Sequence, residues 1–399
     1  MLTPSNHNKI MKKFIGLFLL ALVLQTTAQT KITSIPFELY GDHMFIKVTI
    51  DDSEPLDFIF DTGSGLTVID KNVAEDLKLV KKEVKMNTTQ SRFQLIKHNT
   101  IKINHFLMEG NINVYATELR HLEMSLGRDF DGIFGYDLLR HHTVHIDYDN
   151  STMDIYDHGD GPKDGHAIPF KMNTSIPTIA GKVVLNNGEA HEGQFFIMTG
   201  AGATLDFNSP YAKEWDVIHK TGKHYSYMVK GLGDAETPHY EGHVISFEFG
   251  DQIVEDLPIG ISTATKGIQA STKVAGIIGN RILREFNITI DVPDKLIWIK
   301  KNSHYGEKLN INSAGIDVQL SKDMSKILIH QVIDNSPASE AGIELNSELV
   351  KVNGKAISEY ALPDVKKIFR RSGESVDLVI MKNGAERSVT LQMKSLIEE

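Results

Sequence analysis

The chain contains no cysteine. That absence excludes disulfide frameworks, zinc–thiolate sites, thiol nucleophiles and lipid attachment through a terminal cysteine. Positive charge is also in short supply: 42 Lys and Arg stand against 52 Asp and Glu, leaving a formal charge of −10. The average field repels a phosphate backbone, so nucleic acid is not an expected partner. Collagen-like and low-complexity tracts are missing, because the 31 Gly and 12 Pro are spread through the 399 residues without a period. Long apolar runs are scarce too. The run from Phe14 to Leu24 has 11 residues, whereas a membrane-spanning helix needs about 20.

That run follows Lys12 and Lys13 and precedes Thr26, Thr27 and Ala28, the order of a secretory signal. A signal peptide over 1–28 is expected, with Met11 as a candidate start. Cleavage after Ala28 leaves 371 residues. The expectation is an exported protein, periplasmic or secreted, with no stable membrane insertion once the signal is removed. At roughly 150 residues per domain the length allows two to three domains.

An internal repeat organises the middle of the chain. Gly132-Ile133-Phe134-Gly135 with Leu138, Leu139, Arg140 and Asp147 matches Gly276-Ile277-Ile278-Gly279 with Ile282, Leu283, Arg284 and Asp291. Upstream, Phe58-Ile59-Phe60-Asp61-Thr62-Gly63-Ser64-Gly65 matches Phe195-Phe196-Ile197-Met198-Thr199-Gly200-Ala201-Gly202. Asp61 lies 71 residues before Gly132, and Met198 lies 78 before Gly276. Two copies of one lobe are therefore expected, 32–158 and 165–301, joined by a glycine-rich connector near Gly159 to Gly165. The runs within each lobe are short, β-branched or aromatic, and separated by turns, which predicts mainly β structure. Helical period is brief, around Val73 to Leu79 and after each Gly-x-x-Gly.

An apolar strand ending in Asp-Thr-Gly presents one carboxylate at the floor of a cleft. Two such carboxylates across a pseudo-twofold axis share a proton, so that one activates water while the other protonates a carbonyl oxygen. No cofactor or metal is needed for that chemistry. At these residues the sequence resembles the aspartic peptidases, specifically bacterial retropepsin-like proteins with two fused lobes, over residues 32–301. The resemblance implies a two-lobed β-barrel fold and hydrolysis of a polypeptide substrate. By position it makes Asp61 a catalytic aspartate, Thr62 and Thr199 bracing residues, and Gly63 and Gly200 turn glycines. Met198 stands where the second aspartate belongs, and it cannot exchange a proton. Asp206, eight residues later, is expected on the strand leaving the loop and is not counted as a substitute. Three readings follow: an enzyme using one carboxylate, a pseudopeptidase that binds peptides, or a homodimer pairing two copies of Asp61. The tethered second lobe disfavours the last through its effective concentration, and the sequence does not determine the oligomeric state.

The resemblance also calls for a flap, for which Lys230-Gly231-Leu232-Gly233 near Tyr225 and Tyr227 is the candidate. His141, His142 and His145 are crowded, but their repeat partners are Glu285, Phe286 and Thr289, so packing rather than metal binding is expected. From about Ile311 the pattern changes to strand, helix, strand, helix, strand. Ser336-Pro337 starts a short helix, Asn353-Gly354 makes a tight turn, and Pro363 opens a second helix. Residues 311–394 resemble the PDZ domains attached to bacterial extracytoplasmic proteases, through Ser336-Pro337-Ala338, Ala341-Gly342-Ile343 and Val352-Asn353-Gly354-Lys355. That resemblance implies an α+β fold that captures an extended peptide or protein C-terminus, with carboxylate-binding amides near Ala314, Gly315 and Ile316.

Overall fold

In the computed structural model, the residues described are 30–397 apart from 80, 85–92, 109, 111, 234 and 235. The expected signal segment lies outside them. The strands of the described residues form four sheets: ten strands in lobe 1, eight in lobe 2, six shared between the lobes, and six in the C-terminal domain. Among the described residues no helix is long and apolar enough to cross a membrane.

Each lobe is built around its repeat. In lobe 1 the strand Leu56–Phe60 buries Phe58, Ile59 and Phe60 and runs parallel to Gly132–Phe134. The strand Thr67–Asp70 follows the turn and is wholly buried. Asp70 then caps the helix Lys71–Asp76 by accepting the Asn72 amide, so this helix begins two residues before Val73 and ends three before Leu79. In lobe 2 the strand Ala190–Met198 runs parallel to Gly276–Gly279 in the same way. The short helices expected after each Gly-x-x-Gly are Tyr136–Leu139 and Asn280–Leu283.

The glycines of that motif have a steric cause. A Cβ at Gly135 would lie 1.8 Å from the Asp61 carbonyl oxygen, and one at Gly279 would lie 2.3 Å from that of Ala203. Both positions are pressed against the backbone of the loop that carries the Thr-Gly turn. Backbone bonds complete the contact: Tyr136 donates to the Ser64 carbonyl (3.0 Å) and Asn280 to that of Ala201 (2.7 Å).

The shared sheet runs in the order Lys31–Pro36, Thr152–Tyr156, Thr143–Asp147, Phe286–Asp291, Leu296–Lys301, His166–Pro169. Its middle pair places Val144 against Ile290 and Ile146 against Ile288, all four side chains buried. Each is worth roughly 1.5–3 kcal/mol of apolar burial. His145 faces its repeat partner Thr289 across this pair, ring Nδ1 to hydroxyl 2.9 Å. The repeat aspartates hold turns: Asp147 accepts from Asn150 and Asp291 from Asp294.

The C-terminal domain has a core of its own, including Val318, Ile329, Leu349, Val365 and Leu378. Ser336 and Ser339 form a capping box on the helix Pro337–Glu340, and Pro363 lies in the first turn of Leu362–Ile368. Asn353-Gly354 and Asn383-Gly384 all have positive φ, the geometry of tight hairpin turns.

Candidate active site

Asp61 sits where the two Thr-Gly turns meet. Thr62 donates its hydroxyl to the Ile197 carbonyl (2.7 Å) and accepts the Thr199 amide (3.1 Å). Thr199 donates to the Phe60 carbonyl (3.1 Å) and accepts the Thr62 amide (3.0 Å). Both threonines are completely buried, so these reciprocal bonds lock the loops together around the pseudo-twofold axis.

The brace fixes the carboxylate. Asp61 Oδ1 accepts the Gly63 amide of its own turn (2.7 Å) and the Gly200 amide of the opposite lobe (3.0 Å). A Cβ at Gly200 would lie 2.3 Å from Asp61 Cγ, so only glycine lets the second loop come this close. Burial pushes the Asp61 carboxyl up from its ordinary range, and the Gly63 and Gly200 amides oppose the rise. In a paired dyad, repulsion between like charges would raise it further; here no second carboxylate occupies the symmetry-related position.

Met198 occupies that position. Its Cε lies 2.4 Å from where a Gly63 Cβ would be, and its side chain packs with Ile176, Phe196, Val274 and Ile277. Asp61 and Met198 line one cavity of about 770 Å³.

The wall in lobe 2 carries groups that sequence reasoning did not collect. Asp206 lies on the strand Leu205–Phe207, pairs with Ile277 on one side and Gly260 on the other, and Gly260 pairs with Glu241. A Cβ at Gly260 would lie 2.1 Å from Asp206 Oδ1 and 3.3 Å from the Tyr227 hydroxyl. The missing side chain thus makes room for both. Burial pushes the Asp206 carboxyl up. Glu241 is raised to about 7, first by burial and then by Asp206, against Arg281, Arg370 and a hydrogen bond from Tyr227. Asp42, at the edge of lobe 1, behaves oppositely. Burial would raise it, but Arg281, Arg370 and Arg284 together hold it below the usual range, with Arg284 3.0 Å and Arg370 3.6 Å away.

The candidate flap residues Gly231 and Gly233 lie at the tip of the hairpin Tyr225–Lys230 with Glu236–Phe249. Leu232 packs on the apolar cluster of lobe 1 that includes Phe45, Ile59 and Val68. The Gly231 carbonyl lies 3.0 Å from the His121 ring. The flap therefore reaches from lobe 2 across the cavity to lobe 1.

In the C-terminal domain, Ala314, Gly315 and Ile316 precede and open the edge strand Ile316–Leu320. The Ala314 amide donates to the Phe369 carbonyl (3.1 Å), and the Gly315 amide to Asn312 Oδ1 (2.8 Å). A peptide carboxylate at Gly315 would have to displace the Asn312 side chain. Gly315 has φ +79°, and a Cβ there would lie 2.0 Å from the Ser336 hydroxyl. Away from the cavity, His158, Asp291 and Asp294 bring one ligand atom each within 4.8 Å. Asp291 is already committed there to Thr143, Gly159 and Asp294.

Residues 46–138 match the aspartyl protease family, and residues 299–381 match the PDZ domain. The chain is also similar to a probable CtpA-like serine protease of Staphylococcus saprophyticus, 31% identical over 94 residues, 23% of this chain and 19% of that protein. A carboxy-terminal processing protease, CtpB of Bacillus subtilis, is 28% identical over 108 residues, 27% of this chain and 22% of that protein. The chain thus spans about a fifth of the length of these curated relatives. The aspartyl protease match contains Asp61 and the Gly132–Gly135 motif packed against its loop, and the PDZ match contains the edge strand and both short helices. The chain carries an aspartyl protease domain in its first lobe and a C-terminal PDZ domain.

Proposed function

We propose that the protein is an exported aspartic-type endopeptidase of low intrinsic rate, in which Asp61 alone activates water against a peptide bond held under the flap. The intact threonine brace supports this reading. It holds the Asp61 carboxylate by two amides at the floor of a cavity large enough for several peptide residues. Ionised Asp61 takes the proton from water, and the proton it gains passes to the leaving amine. Nothing at position 198 can protonate the carbonyl oxygen, so the help that a second carboxyl supplies, typically about 10²–10⁴ in rate, is forgone. Because burial raises Asp61, activity should climb along a single ascending limb displaced above the ordinary carboxylate range.

A second reading, a cleft that binds peptides without cutting them, is favoured by the packing of Met198 over the turn. Cleavage of an unstructured polypeptide by residues 29–399 separates the two: the enzyme reading requires activity that vanishes in Asp61→Asn, and activity surviving that change overturns it. The relatives named as serine proteases share only a short stretch with this chain. Ser64, beside the turn, donates its hydroxyl to the Leu66 carbonyl at 2.6 Å. Export is tested by N-terminal sequencing of the mature protein, expected to begin near Gln29.

A further inference from the structure

The PDZ domain and the flap are joined directly. The Met228 amide donates to Gln331 Oε1 (2.8 Å), and Gln331 Nε2 donates to the Met228 carbonyl (2.8 Å). One PDZ side chain therefore occupies both backbone groups of a flap residue, as a paired strand would. Beside it, Glu236 at the base of the flap tip holds Lys230 (3.1 Å) and reaches His330 of the PDZ domain (3.3 Å).

The groove of the same PDZ domain is covered from the other lobe. The strand Ile316–Leu320 ends its sheet, so its outer edge is where an extended peptide would add beside the helix Leu362–Ile368. The lobe 1 helix Arg120–Leu126 packs against that strand. Lys366 donates to the Ser125 carbonyl (3.1 Å), Arg120 donates to the Lys322 carbonyl (3.2 Å), and a Cβ at Gly127 would lie 2.4 Å from Leu362 Cβ. This helix also holds the flap tip through His121, and its Leu122 and Leu126 share the cluster on which Leu232 rests.

We propose that the helix Arg120–Leu126 is an autoinhibitory occupant of the PDZ groove: an extended peptide that adds to Ile316–Leu320 displaces it and frees the tip of the flap, leaving Gln331 as the flap's remaining tie. One contact chain supports both ends of this coupling, because the helix touches the groove and the flap tip while Gln331 holds the flap's first strand. A groove ligand and a closed flap then compete, and each weakens the other by the same factor. The consequence for peptide hydrolysis rests on the function proposed above, but the release of the flap does not.

The test is made in an Asp61→Asn background, so that its failure cannot be confused with an inactive cleft. Gly127→Asn retains a residue that tolerates the left-handed cap, φ +93°, and drives a side chain into Leu362. Hydrogen exchange across Tyr225–Lys230 should quicken about tenfold while the PDZ strand Ser375–Lys382 stays protected. Gln331→Ala, which cuts the flap tie directly, sets the reference for a released flap. A lock is available because the chain has no cysteine of its own. In Gly41→Cys with Pro363→Cys the Cβ atoms would lie about 3.6 Å apart, within disulfide range. The oxidised lock should restore slow exchange in the Gly127→Asn chain. Random heptapeptides with free C-termini should enrich on the reduced chain and not on the oxidised one. Flap exchange indifferent to Gly127→Asn while Gln331→Ala accelerates it would overturn the coupling. Equal enrichment on locked and unlocked chains, or none on either, would overturn the groove as the release site.

Discussion

The sheets of the two lobes carry opposite chemistry at equivalent strand positions. In lobe 1 the row crossing the sheet reads Ile59, Ile133, Val68, Tyr115, Leu95. The same row in lobe 2 reads Phe196, Ile277, Asp206, Gly260, Glu241. Where lobe 1 has Val, Tyr and Leu, lobe 2 has Asp, Gly and Glu. On the floor the exchange runs the other way, with Asp61 in lobe 1 and Met198 in lobe 2. A repeated backbone constrains its turns and its glycine contacts, and those are what the two lobes keep. The side chains along the row and on the floor carry no such constraint and differ at both levels.

The sharpest way to break this asymmetry is Met198→Asp, which restores acid to the second floor position. Turnover of an unstructured polypeptide should rise by about 10²–10⁴. The single ascending limb should become a bell on the acidic side of neutrality, because two facing carboxyls share one proton. An unchanged rate and profile would show that the lobes do not pair their 61 and 198 positions in catalysis.

Glu241→Gln tests the wall. Glu241 has a folded pKa raised to about 7 from its ordinary value of 4.5, so its contribution is fully present below about pH 4.5. Between there and pH 7 the unfolded chain ionises this group while the folded chain keeps it protonated. Stability is lost over that window, by roughly 3 kcal/mol. The raised Asp61 and Asp206 act in the same direction, and the depressed Asp42 acts in the opposite one at lower pH. In the Glu241→Gln variant the fall in denaturation midpoint between pH 4.5 and 7 should be markedly shallower than in the natural protein; an identical slope would mean that Glu241 ionises freely in the folded state.

The smallest difference between the lobes should come at the brace, where they agree. Thr62→Val strands the Thr199 amide and the Ile197 carbonyl, and Thr199→Val strands the Thr62 amide and the Phe60 carbonyl. Each should cost about 1–3 kcal/mol per orphaned group, and chemical denaturation should give the two variants similar losses. A large inequality would make the brace as asymmetric as the walls.

What the sequence disclosed follows the same division. The turn at Asp61-Thr62-Gly63, the helix after each Gly-x-x-Gly and the helix begun by Ser336-Pro337 are local patterns, and the structure has each at those residues. Asp206 was legible as a strand residue after the loop. Its alignment with Glu241 was not, because the row depends on the pairing of strands that are 35 and 54 residues from it in the chain. The Met198 side chain was recognisable as a lost acid, but not as packing over Gly63. Nor could spacing foretell that Asp42 would meet three guanidiniums from lobe 2 and the PDZ domain, or that Gln331 would bond both backbone groups of Met228. Those contacts are made by surfaces meeting after each unit has folded.

The shared sheet sets a timetable for folding. Lobe 1 can form its own half, Lys31–Pro36 with Thr152–Tyr156 and Thr143–Asp147, once residue 156 is available, but the strand that covers Thr143–Asp147 is Phe286–Asp291. At about 5–20 residues per second of synthesis, that edge waits for the 130 residues separating Tyr156 from Phe286. During this interval the first lobe exposes an unpaired, β-branched strand edge of the kind that recruits other chains. A partner that shields Thr143–Asp147 until the second lobe arrives would therefore govern yield without touching the finished protein.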